Sequence, residues 1–98
     1  MADQLIFAFD LSFEGTFAKG ELRVEDGTLR CTVDGVPQYA LPVSSLTGLR
    51  VTGDVGCGYL EAAVDGKPRI LARMTTGRLR AAGEFQLALQ YYIDTGEL

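Results

Sequence analysis

A mainly β fold of seven short antiparallel strands followed by one C-terminal helix is predicted by three features of this 98-residue sequence. Asp-Gly occurs three times, at Asp26-Gly27, Asp34-Gly35 and Asp65-Gly66. Each pair sits between runs of alternating polarity, and Asp-Gly readily takes the positive φ angles of a type I′ hairpin turn. The second feature is the alternation itself, which has the period of two expected of half-buried strands. The third is a change to helical period after Thr76.

The first strand covers Leu5 to Leu11, with Leu5, Phe7, Phe9 and Leu11 on one face. Residues 12–19 form a longer connection, and Phe13 and Phe17 within it are expected to tuck onto the core. The second strand, Glu21 to Glu25, points Leu22 and Val24 inward. After Asp26-Gly27, the third points Leu29, Cys31 and Val33 inward. Asp34-Gly35 opens a short fourth strand that reaches Leu41, and Pro42 closes it by withholding a ladder donor. The fifth strand spans Leu46 to Thr52, with Leu49 and Val51 inward. Gly53 to Gly58 is a glycine-rich turn. The sixth, Tyr59 to Val64, buries Leu60, Ala62 and Val64. The seventh, Arg69 to Thr75, is expected to set Ile70, Ala72 and Met74 on one face, and Arg69, Leu71 and Arg73 on the other.

Ala81, Phe85, Ala88, Leu89 and Tyr92 then follow the spacing of one helical face, giving a helix at about 77–94. Thr75 or Thr76 is the candidate N-cap, and Gly96 supplies a stop. A sheet with one apolar face must fold over to cover it, and the helix can plug the open end. The element order matches a pleckstrin-homology-like (PH-like) barrel: two nearly orthogonal sheets capped by the helix. A five-stranded barrel leaves two runs unexplained, and an immunoglobulin-like sandwich does not explain the helix. Length and the absence of a linker or repeat give one domain over residues 1–98.

Composition excludes more than it names. Apolar residues make up 47% and charged residues 22%, an ordinary globular mix. The net charge of −4 speaks against nucleic acid or an anionic membrane as the main partner. No apolar run approaches the roughly 18 residues of a membrane span. Met1 to Gln4 are polar and acidic, unlike a secretory n-region. With no His, the chain lacks the commonest general base and the commonest zinc nitrogen ligand. Cys31 and Cys57 are isolated and read as free thiols. Neither a phosphate-binding G-x-x-x-x-G-K-[ST] loop nor a G-x-S-x-G elbow occurs. No enzyme, cofactor or metal is expected.

A family comes into view between Tyr39 and Tyr92. Residues 39–51 read Tyr-Ala-Leu-Pro-Val-Ser-Ser-Leu-Thr-Gly-Leu-Arg-Val, and 55–66 read Val-Gly-Cys-Gly-Tyr-Leu-Glu-Ala-Ala-Val-Asp-Gly. Ile-Leu-Ala-Arg-Met-Thr (70–75) and a helix carrying Phe85 follow. This pattern resembles the small PH-like domain at the N-terminus of certain bacterial ABC exporters. Met74 and Thr75 stand where that pattern has an aromatic and a Ser. The resemblance implies a non-catalytic accessory domain, cytoplasmic and tethered to the inner membrane through the rest of an ATP-driven transporter. Its partners would be other domains of that transporter or another protein, with a homodimer open. A stand-alone module binding a membrane surface, lipid headgroup or peptide is the alternative.

The candidate docking patch comprises Lys67, Arg69, Arg73, Arg78 and Arg80, with Tyr91 beside it on the helix. Arg69 and Arg73 are expected on one strand face, and Arg78 and Arg80 at the helix start, where they oppose its dipole. The bland reading is a solvated face paired with Glu61 and Asp65. A phosphoinositide site is disfavoured. Around the first hairpin Lys19, Arg23 and Arg30 face Asp10, Glu14, Glu21, Glu25 and Asp26, which leaves the field negative. The loop from Gly53 to Gly58 joins two strands and lacks the Lys of a phosphate cradle, so it reads as a hairpin. Cys31 reads as a small core residue.

Overall fold

The computed structural model describes residues 4–97. Seven strands, β1 (Leu5–Leu11), β2 (Phe17–Glu25), β3 (Thr28–Val33), β4 (Val36–Pro42), β5 (Leu46–Asp54), β6 (Cys57–Val64) and β7 (Lys67–Thr75), precede one helix, α1 (Leu79–Thr95). Short 3-10 turns at Val43–Ser45 and Thr76–Arg78 join β4 to β5 and β7 to α1. All three Asp-Gly pairs have positive φ at both residues, so the hairpin signals hold.

The strands form one antiparallel sheet in the order β4-β3-β2-β1-β7-β6-β5. The fold is therefore mainly β with a C-terminal helix, as the sequence predicts. The expected closed barrel of two sheets is not what forms, because the sheet is continuous and its edge strands β4 and β5 do not pair. Pro37 removes an N–H from β4, and α1 packs against β5.

The core brings together Phe7, Phe9, Leu22, Val24, Leu29, Leu60, Met74, Phe85 and Leu89 from both halves of the sheet and the helix. Gly20 faces Phe9 across the β1–β2 ladder. A Cβ at Gly20 would lie 2.0 Å from the Phe9 ring, so only glycine leaves room for that phenyl. The helix spans the open side. Leu79 at its start packs on Gly58. Near its end the Tyr92 hydroxyl accepts the Gly27 N–H at 2.9 Å. Gly96 ends it with φ +76°, as its sequence position suggests.

Four local expectations need correction. β2 begins at Phe17, and Phe17 is 84% exposed at the strand end, where it pairs with Leu11 beyond an irregularity in β1. The buried helical residues are Ala82, Phe85 and Leu89, one position on from the expected Ala81, while Ala81 and Ala88 lie at the margin. Neither Thr75 nor Thr76 caps the helix, since the Thr75 hydroxyl is used elsewhere.

The fourth correction concerns β7. Leu60 pairs with Ala72, but Glu61 pairs with Ile70, so Leu71 is an extra residue in the strand. This bulge turns both Leu71 and Ala72 into the core and leaves Ile70 43% exposed. It also inverts the phase of everything before it.

Candidate functional site

The bulge separates the two arginines expected together. Residues opposite each other across an antiparallel ladder share a face. Arg69 pairs with the buried Ala62 and so lies on the inner face, whereas Arg73 pairs with Tyr59 on the outer face. The patch is therefore not one surface.

Each of its residues has a distinct position. Lys67 is exposed at the start of β7. The Arg69 guanidinium stands 4.6 Å from the centroid of the Tyr39 ring. Tyr39 comes from β4, and its hydroxyl donates to the Leu71 carbonyl at 2.6 Å, on the residue added by the bulge. Arg73 lies under the β1–β2 connection. It donates to the Phe13 carbonyl at 3.4 Å and sits 5.5 Å from the centroid of Tyr59, and its buried Nε has no hydrogen-bond partner among the described residues. Gly15, at φ +88°, passes so close that a Cβ there would lie 3.1 Å from the guanidinium.

Arg78 donates from Nε and Nη2 to the Ala8 carbonyl, at 3.0 and 2.7 Å, and covers the Phe7 ring. Arg80 is solvated and pairs with Glu84 at 3.6 Å. Tyr91 is 56% exposed, beside an exposed Leu87 one turn earlier. The expected carboxylate partner Glu61 is taken by Arg50, at 3.6 Å, and by the Thr52 hydroxyl at 2.6 Å. Multivalent anion binding requires several cations converging on one spot. Here Arg69, Arg73 and Arg78 are directed to three different internal contacts.

Two further groups carry perturbed chemistry. Cys31 is buried in β3, and burial pushes its thiol up from 9.0 to about 11, partly offset by Tyr39 and Arg69. Burial likewise raises the Tyr39 phenol, and neighbouring Cys31 adds to that. Both groups are held neutral, so neither is poised as a nucleophile or base near neutral pH. Cys57, half-buried at the β5–β6 hairpin, donates to the Tyr59 hydroxyl at 3.8 Å. Both cysteines are free. Among the described residues no group of three or more Cys, Asp or Glu is arranged to hold a metal ion. No described helix is long and apolar enough to cross a membrane.

The sheet margins offer the other candidate surface. On β4, Pro37 and Pro42 blunt the free edge. β5 contains no proline. Its edge meets α1, where Gln86 Nε2 donates to the Leu49 carbonyl at 3.3 Å. Asp54 and Cys57 flank a two-residue hairpin loop. That geometry makes them a hydrogen-bonded pair, and Thr52 and Arg50 continue the alternation, so Val51 and Gly53 turn their backbone groups away from β6. Sequence reasoning did not single out Gln86, because its partner lies 37 residues away.

Comparison with known proteins adds no relative: no family model, curated protein or solved structure matches this chain.

Proposed function

We infer that the chain is a non-catalytic docking domain that receives an extended partner segment along the β5 edge beside α1. The observation that carries this reading is the difference between the two sheet edges. β4 is blunted by prolines, whereas β5 turns backbone groups away from β6 at Val51 and Gly53 and, among the described residues, receives one side-chain hydrogen bond on that edge, from Gln86 at Leu49, with Leu79 packed beside Gly53. Strand addition uses such groups, with main-chain hydrogen bonds giving affinity and flanking side chains giving selectivity.

The setting follows from the resemblance carried by residues 39–51, 55–66 and 70–75. It is the cytoplasmic, N-terminal part of an ABC exporter tethered to the inner membrane, and the partner segment belongs to that transporter or to a protein that regulates it. The dispersal of Arg69, Arg73 and Arg78 into internal contacts supports a protein partner over a lipid headgroup.

The coding sequence downstream of the Leu98 codon tests the setting. The expected result is an open frame running into hydrophobic spans and a nucleotide-binding loop, with deletion of residues 1–94 altering the transporter's ATPase rate. A stop codon directly after Leu98, or an unchanged rate, overturns the exporter reading.

A further inference from the structure

The order of strands divides the sheet into two contiguous pieces of chain. β1 to β4 form one meander, and β5 to β7 form another that leads into α1. The first and last strands, β1 and β7, join them. That junction is unlike every other in the sheet. Neighbouring strands elsewhere are in register along most of their length, but between β1 and β7 only Leu11 faces Arg73.

Side chains supply what the backbone ladder does not. Asp10 of β1 accepts the Thr75 N–H at 2.8 Å and the Thr75 hydroxyl at 2.5 Å. From the opposite side of the seam, Arg78 reaches back to the Ala8 carbonyl with two donors. These contacts join residues 65 and 70 positions apart. Arg78 also covers the ring of Phe7, which packs against Phe9 and Phe85 at centroid distances of 6.2 and 5.5 Å. The seam therefore borders the aromatic part of the core.

We propose that Asp10 and Arg78 form a latch across the β1–β7 seam, and that the molecule opens along this line. Few backbone hydrogen bonds break there, so the resistance to opening comes from these side-chain bonds, from the Tyr39–Leu71, Arg73–Phe13 and Gly27–Tyr92 bonds that also join the halves, and from the core they share around Phe7. The β2–β3 and β5–β6 ladders remain intact as the halves part. Local opening of this kind is set by the least-bonded boundary between cooperative units.

Native-state hydrogen exchange on the whole chain tests the latch. Amides of β1 and of residues 73–79 should exchange faster than those of β2–β3 and β5–β6. Asp10→Ala and Arg78→Met should each lower protection at the seam by about tenfold, the equivalent of one lost hydrogen bond to a charged group. Amides in β2–β3 and β5–β6 should keep wild-type values. Asp10→Asn retains a carbonyl acceptor and gives a milder change at the same amides, which covers the case in which Asp10→Ala fails to fold. Arg80→Met, altering a solvated arginine two residues on in the first turn of α1, should leave the seam unchanged. An even loss of protection across all strands, or unchanged seam amides in Asp10→Asn and Arg78→Met, overturns the proposal.

Discussion

Arg69, Arg73 and Arg78 each stand over an aromatic ring, and Arg73 and Arg78 also donate to a backbone carbonyl. A planar guanidinium suits both contacts at once, which a lysine ammonium does not. The Arg69 site has a further consequence because Tyr39 and Cys31 share it. In the unfolded chain the Cys31 thiol ionises near 9.0, but in the folded chain it holds its proton until about 11. A raised folded pKa contributes stability that is present below the unfolded value and lost as pH rises through the folded one. Tyr39 shifts in the same direction. Stability measured by urea unfolding should therefore be flat up to about pH 8.5 and fall between pH 9 and 11, by at most ~1.4 kcal/mol per pH unit for each group. Cys31→Ala should make that decline shallower. An identical slope in the variant would show that Cys31 is not its source.

The strands of this protein show where local pattern suffices and where it does not. Turn chemistry and the alternation of β2, β3 and β6 lie within a few residues, and the sequence specifies them directly. The β7 bulge depends on how that strand meets β6, and simple alternation along β7 gives the wrong face for Arg69, Ile70 and Leu71. The two readings differ measurably. Leu71→Ala removes a fully buried side chain and should cost about 2–5 kcal/mol, while Ile70→Ala should cost less than about 1 kcal/mol. Thermal and urea unfolding of the two variants check this, and the reverse ranking would restore strict alternation. The same limit applies to the candidate site. The sequence identifies Arg69, Arg73 and Arg78 as notable, but their partners Tyr39, Phe13 and Ala8 are distant in the chain. Only the fold shows that the cationic cluster is dispersed, and only the fold brings Gln86 to the β5 edge.

Across the whole molecule, the two meanders are each continuous in sequence and share a single core. Phe7, Leu22 and Leu29 from the first pack with Leu60, Met74 and Phe85 from the second. Neither piece can cover its own apolar face, so folding couples them through contacts of long sequence separation, which are formed late and at entropic cost. The covalent link between them is the short 3-10 turn at Val43–Ser45. It contributes no buried residue. Excising it removes no fully buried residue, and of its three residues only Val43 packs partly against the core. Two polypeptides, residues 1–42 and 46–98, should each be largely unstructured alone and should combine one-to-one with recovery of the native circular dichroism spectrum. Fused to separate proteins, they would act as a complementation pair whose reassembly reports that those proteins have met.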